Sequence, residues 1–381
     1  MQTQLNTEKF NQVMGDTISE EWLYYKLFKA ERKARKGKTD TRDVYLFEMN
    51  LEENLRQLAH DIWTGVYMPS RGIAFIIDRP VVREIFAAQF RDRVVHHFLF
   101  DMIYKWWDRR LINNSYSCRV GKGSLYGVKM LEKQIKRVSK NYTERAYVVK
   151  LDIQGYFMSL NREKVFERVK WGLRIQYAHA PRIMMLLEFV WARVIFDDPC
   201  RGVTIRGKQS DWKRLPKTKT LFGQKPGYGI VIGNLSSQLL SNIYLDFLDR
   251  FVVYELGYRN YGRYVDDFYI VVEESEYEKL KKDVKMIEKF LKDKLELTLH
   301  PRKHYYQEVR KGVEFLGVII YNGHLVASKR FKANFAKAAL EVGMGYKDVS
   351  SIVSYMGRLK HINGKKLTHE VFEYMGWRYR Y

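Results

Sequence analysis

Cysteine is nearly absent from this chain: Cys118 and Cys200 are the only two among 381 residues. That number is too small for a disulfide framework or a cysteine-built zinc site, and it suits a reducing compartment. Long apolar runs and a signal-like N-terminus are also missing, as are internal repeats and low-complexity tracts. Acids are outnumbered, with 44 Asp and Glu against 67 Lys and Arg, and the formal net charge of +23 implies a polyanionic partner. With nothing to cross a bilayer, nucleic acid ranks ahead of a membrane surface, and a cytoplasmic location is expected. What is present, 46% hydrophobic and 15% aromatic residues, argues for a folded protein with sizeable cores in two or three subdomains.

Tyr264-Val265-Asp266-Asp267-Phe268 places two acids inside the otherwise apolar and aromatic stretch 263–272. Strands exclude Asp, and burying an unpaired carboxylate costs several kcal/mol, so the pair belongs at a hairpin turn that is either solvated or holds a cation. A second apolar run, Val148-Val149-Lys150-Leu151-Asp152-Ile153, ends in a single acid. Side by side, these strands would gather Asp152, Asp266 and Asp267, a cluster that needs cations between its members. All-oxygen ligands select Mg²⁺ or Mn²⁺. Two such ions about 3.5–4 Å apart are what in-line phosphoryl transfer uses, so the pattern points to nucleotidyl transfer.

Asp152 with Phe157 five residues on, followed by Tyr-Val-Asp-Asp-Phe, resembles the core of a reverse transcriptase. Between them lies Gly229-Ile230-Val231-Ile232-Gly233-Asn234-Leu235-Ser236-Ser237-Gln238. Its Ile-Gly-x-x-x-Ser-Gln form is similar to that of diversity-generating retroelement reverse transcriptases. Arg83-Glu84-Ile85 and the runs 91–97, 115–123 and 312–317 resemble the same subfamily in the same order, so the likeness covers residues 50–365. It implies an α+β, right-hand polymerase with fingers, a ferredoxin-like palm and a small helical thumb. The corresponding domains are a basic helical extension over residues 1–60, fingers and palm over 61–320, and thumb over 321–381.

The resemblance also assigns roles. Asp152, Asp266 and Asp267 would hold two Mg²⁺ ions, with Mn²⁺ as a substitute, and Lys303 would protonate the departing pyrophosphate. Phe157 matches the steric gate that rejects a ribose 2′-hydroxyl, and Arg83 would grip the triphosphate with a bidentate fork that Lys lacks. Ile232 and Gln238 would lie at the nucleotide, and Phe315-Leu316-Gly317 resembles the primer grip. Arg119 and Lys122, in a loop with Gly121 and Gly123, read as a flexible basic element for phosphates. The implied partners are template RNA, a cDNA primer, dNTPs and a small basic helical accessory protein, with no membrane.

Periodicity places helices over residues 20–38, with a basic tail suited to RNA, and over 51–63 and 183–195, with Asn161 capping another. Strands 74–77 and 84–86 flank an Asp78-Arg79-Pro80 turn, and Asn322-Gly323 makes a hairpin. Ser275-Glu276-Tyr277-Glu278 reads as a capping box for a helix through Leu295. His96 and His97 read as core packing, since adjacent residues point different ways around a helix. Residues 197–228 lose periodicity and read as a basic surface insertion touching nucleic acid, leading into a helix whose apolar face includes Phe247.

The expected activity is RNA-directed DNA synthesis, copying a retroelement template RNA into cDNA. Copying would be error-prone, because Ile232 stands where most of the family has a polar residue that could hydrogen-bond the incoming sugar. That the errors concentrate at adenines is implied by the resemblance alone and not by the chemistry of the motif. An RNA-dependent RNA polymerase would share the acids but carry a small or polar residue in place of Phe157. A retron-like or phage-defence reverse transcriptase would share nearly everything. A catalytically idle RNA-binding scaffold would have no need of all three acids and the aromatic gate.

Overall fold

A computed structural model describes residues 18–39, 41–77, 81–374 and 376. The chain forms two compact units whose segments interleave. The first takes Met1–Ile112, Gln154–Phe247 and Leu291–Leu297; the second takes Asn113–Ile153, Leu248–Phe290 and Thr298–Tyr381. Among the described residues the strands are β1 (Ile73–Ile77), β2 (Arg83–Ala87), β3 (Ala146–Asp152), β4 (Thr204–Ile205), β5 (Tyr261–Tyr264), β6 (Asp267–Glu273), β7 (Tyr305–Glu308), β8 (Val313–Phe315), β9 (Val318–Tyr321) and β10 (His324–Ala327).

The first unit is mainly helical. Ser19 caps helix Glu20–Ala34 by accepting the Trp22 N–H, and Leu23, Leu27 and Ala30 bury one face against helix Phe90–Arg110. This helix ends at Ala34 rather than at residue 38, because the chain turns at Gly37, which takes φ +70°. Helix Leu51–Trp63 forms as its periodicity predicts and buries Leu55, Leu58 and Ile62. Asn161 caps helix Arg162–Gln176, its side chain accepting from the N–H groups of Glu163 and Lys164. Helix Pro181–Phe196 follows.

A sheet of order β2-β1-β4 belongs to the same unit, with β1 and β2 antiparallel and Ile77 opposite Arg83. The turn expected at Asp78, Arg79 and Pro80 lies outside the described residues. Residues 197–228 are mostly exposed, as expected of a surface insertion, and are anchored to the sheet at a few points. The carboxylate of Glu84, buried on β2, accepts hydrogen bonds of 2.7 Å from Trp212 Nε1, Thr220 Oγ1 and the Leu221 N–H. Phe247 departs from the buried face expected of it, being 41% exposed with the Arg168 guanidinium stacked on its ring.

In the second unit β5, β6, β3 and β7 form an antiparallel sheet in that order. Counted along the chain this is 2-3-1-4, the split βαβ order that the alternation of strand and helix predicts. Val148, Tyr269 and Val271 join Leu131 and Ile135 of helix Ser124–Val138 in its core. The same core continues into β8, β9 and β10 and into helices Lys329–Gly343, Ser350–Leu359 and Lys365–Tyr374 through Phe315, Phe335, Ile352 and Phe372. β9 and β10 meet at Asn322-Gly323, with Gly323 at φ +78°. The capping box expected at Ser275 does not form. A 3₁₀ turn over Glu274–Glu276 takes those residues, and helix Tyr277–Leu295 begins after it. No described helix is long and apolar enough to cross a membrane.

Candidate active site

The acids sit at the end of the two central strands of the second unit. β3 and β6 pair so that Asp152 lies directly opposite Asp267, the last pair of the ladder. Asp266 occupies the turn between β5 and β6, where Val265 takes φ +57°, a left-handed conformation that β-branched residues rarely enter. Burial, and then the carboxylates of Asp267 and Asp152, push the Asp266 carboxyl up to about 7. Asp267 is raised as well, by burial first, with Lys150 opposing and Asp152 reinforcing the shift. Two carboxyls that resist ionising beside a third make a cluster suited to binding a cation.

A lysine adds positive charge beside the acids. Lys303 Nζ lies 2.8 Å from Asp152 Oδ2 and remains half exposed. Its loop is fastened by the His300 N–H, which donates to the Asp152 carbonyl at 2.8 Å, and by a bridge between Ile153 and Leu299. Lys150, on β3, is lowered by burial while Asp267, Glu314 and Asp152 pull it back up. Among the described residues no three His, Cys, Asp or Glu side chains form a ready-made metal cage. The donor set is nevertheless all oxygen, which suits a hard divalent ion.

The turn has a clamp that the sequence reading passed over. Arg263 and Asp249 are both fully buried, with Nε and Nη2 each 2.7 Å from a carboxylate oxygen in a bidentate pair. Tyr261 donates its hydroxyl to the same carboxylate at 2.6 Å. Arg263 Nη1 donates to the Val265 carbonyl at 3.0 Å, and so holds the strained residue that precedes Asp266. An arginine within an apolar strand and an aspartate on an apolar helix were the available signals.

The other predicted residues of the second unit fare unevenly. Arg119, expected in a flexible loop for phosphates, is 9% exposed and donates to the Ser115 carbonyl, so its guanidinium serves the interior. Lys122 donates to the Asn113 carbonyl at 2.6 Å. Phe315 is fully buried, edge-to-face with Tyr269 at 5.1 Å, which removes its ring from any nucleic-acid contact. Leu316 and Gly317 turn beside it at φ +49° and +82°.

The remaining candidates belong to the first unit. Phe157 and Ile232 are half-buried and pack on the same apolar cluster of Phe86, Met158 and Leu221. The Phe157 carbonyl accepts the Ile230 N–H at 2.8 Å, and the Ile232 carbonyl accepts the Phe86 N–H at 3.0 Å. Gly233 is required here, since a Cβ would lie 2.7 Å from the Phe86 carbonyl oxygen and φ is +132°. Helix Leu235–Arg250 follows, with Gln238 exposed in its first turn and Ser236 Oγ buried 2.9 Å from His96 Nδ1. His96 is therefore core, as its sequence predicted, and burial lowers it to about 4. Arg83 is exposed at the start of β2.

A model of the family described as reverse transcriptase (RNA-dependent DNA polymerase) matches residues 92–320. No curated protein matches. Among solved structures, apo telomerase from Candida tropicalis aligns at 14% identity with a TM-score of 0.47, over 80% of this chain and 58% of that one. Telomerase from Candida albicans, bound to a fragment of telomeric RNA, aligns at 12% identity with a TM-score of 0.48, over 87% and 60%. The chain thus spans about three fifths of the length of either telomerase chain.

Proposed function

The chain belongs to the reverse transcriptase family of RNA-dependent DNA polymerases, and from that premise we propose that it copies an RNA template into cDNA at the acids Asp152, Asp266 and Asp267. The observation that carries this reading is the pairing of Asp152 with Asp267 at a strand end, beside an Asp266 carboxyl raised to about 7. Asp152, Asp266 and Asp267 would hold divalent cations, Mg²⁺ first and Mn²⁺ in its place. A cation bound there supplies charge neutralisation and Lewis acidity to a phosphate under attack. Lys303 holds a proton within reach of Asp152, and is suited to pass it to the departing pyrophosphate. Arg263 keeps the Asp266 turn in its strained form through the Val265 carbonyl.

Phe157 is the proposed gate against ribonucleotides, Arg83 the triphosphate contact, and Ile232 and Gln238 the nucleotide-side motif. Fingers, palm and thumb are the proposed names for the hairpin-bearing helical region, the four-stranded sheet and the three C-terminal helices. The subfamily, that of diversity-generating retroelements with a template RNA and a small basic helical partner, rests on the Ile-Gly-x-x-x-Ser-Gln run at 232–238. Error-prone copying of adenines goes with it. Sequencing cDNA made by wild type and by Ile232→Asn tests that part, with equal and low adenine errors in both counting against it.

Primer extension on RNA with Mg²⁺ tests the activity itself. Wild type should extend, and Asp266→Asn should lose orders of magnitude. Extension by the variant at the wild-type rate would overturn the acid assignment. Phe157→Ala should raise ribonucleotide incorporation relative to dNTP, and an unchanged ratio would remove Phe157 from the gate.

A further inference from the structure

A recess of about 400 Å³ opens on the second unit, lined by the exposed side of helix Ser124–Val138, by Asn114 and by Arg259. Its lining holds cations and amides and no carboxylate. Lys133 and Arg259 are exposed and have no hydrogen bond, ion pair or ring contact among the described residues. Arg137 is bonded only to the neutral side-chain oxygen of Asn260. Three cations together with no acid in the lining make the recess positive, which favours an anionic ligand.

Two features distinguish the recess from a plain basic patch. Tyr126 is 39% exposed at its edge, and its ring is braced edge-to-face by the buried Tyr116 at 5.8 Å, which leaves a fixed aromatic face for stacking. Gln134 is 2% exposed and lines the same recess. Its Nε2 donates to the Tyr261 carbonyl at 3.4 Å, which fixes the amide orientation, and its Oε1 accepts nothing. A buried carbonyl oxygen without a donor is costly, so a ligand that brings an N–H there recovers what the fold leaves unmade.

We propose that this recess binds one unpaired nucleotide of single-stranded RNA. The base stacks on Tyr126, an N–H on the base edge donates to Gln134 Oε1, and the flanking phosphates pair with Lys133, Arg137 and Arg259. A lipid headgroup or an acidic peptide would satisfy the cations and leave both the ring and the amide unused. The lining shares no residue with the acid cluster, and its binding role goes beyond polymerase activity. It would grip a strand outside the reacting centre, as stacking platforms beside basic grooves do.

The test is ultraviolet crosslinking of a six-residue 4-thiouridine RNA to the full chain, titrated and mapped by mass spectrometry to the peptide containing Tyr126. A saturable crosslink is expected there in wild type and equally in Asp266→Asn, which separates this inference from the catalytic one. Tyr126→Ala should weaken apparent affinity at that peptide by about tenfold or more, as loss of one base stack does. Gln134→Met, which keeps the volume and removes the oxygen, should weaken it by roughly two- to tenfold. An abasic six-residue RNA should compete poorly. The proposal is overturned if no crosslink maps to that peptide, or if the abasic RNA or a polyglutamate competes as well as the intact RNA. Unchanged affinity in both Tyr126→Ala and Gln134→Met, with thermal melting as in wild type, would overturn it equally.

Discussion

Val265 sits at φ +57° between β5 and β6, where a branched side chain is strained, and the next residue is the most perturbed acid of the site. Asp266 is held where burial and two neighbouring carboxylates disfavour its charge. Removing that charge should therefore stabilise the metal-free protein as it abolishes extension. Asp266→Asn should raise stability by on the order of 1 kcal/mol, discounted for the half-exposed side chain. A metal-free variant that melts below wild type would contradict this. His96 acts in the opposite chemical sense. Burial holds it at about 4 against an ordinary 6.5, so the folded state refuses a proton that the unfolded chain accepts. Its contribution is intact above about pH 6.5 and lost as pH falls towards 4. His96→Gln should flatten the decline in melting temperature between pH 7 and 5, and an equally steep decline would show that other groups carry it. The acids were legible because charge inside an apolar run has few explanations. The burial of Arg119 and Phe315 was not, since nothing in a local pattern says which side of a loop meets the core.

Strand β5 and helix Leu235–Arg250 show what periodicity could and could not reveal. The apolar run over 263–272, interrupted by two acids, identified a hairpin, and the ladder from Asp152 to Asp267 then follows from pairing two such strands. The Arg263–Asp249 pair was illegible because it joins residues whose partnership exists only after the helix and strand have packed. Breaking it by Asp249→Asn should cost about 3–5 kcal/mol, since a buried guanidinium would lose its charge partner. Replacing both, as Arg263→Met with Asp249→Leu, should recover most of the stability, because well-packed apolar pairs often match a buried ion pair. Extension should stay low in the double variant, because no guanidinium holds the Val265 carbonyl. Recovery of activity together with stability would reduce the clamp to packing. A parallel case is Gly262, where a Cβ would lie 2.5 Å from the hydroxyls of both Tyr116 and Tyr269. Those hydroxyls bond each other at 2.8 Å across the strand, so Gly262 is fixed by a contact that its own neighbours in sequence do not announce.

At the scale of the whole chain the formal charge of +23 should dominate nucleic-acid affinity, because each phosphate neutralised releases a counterion. Affinity for single-stranded RNA should fall by about 300-fold or more between 50 and 200 mM salt if six or more phosphates are contacted. Not every basic residue contributes equally, and the helix Glu20–Ala34 with its tail shows why. Lys33 is paired with Asp101 at 2.7 Å, and Arg35 with Glu48 at 2.7 Å, so their charges are already spent on the fold. Lys29, Arg32 and Lys36 are exposed; Lys29 and Arg32 lie over the Tyr25 and Phe28 rings, with no acid opposite them among the described residues. Replacing those three with Ala should therefore reduce the slope of log affinity against log salt by roughly two units, near the single-strand value of about 0.7 per contact. Lys33→Ala with Arg35→Ala should lower the melting temperature and leave the slope nearly unchanged. Equal slopes in wild type and the Lys29, Arg32, Lys36 variant would show that this helix presents a solvated face and that the RNA is held elsewhere on the basic surface.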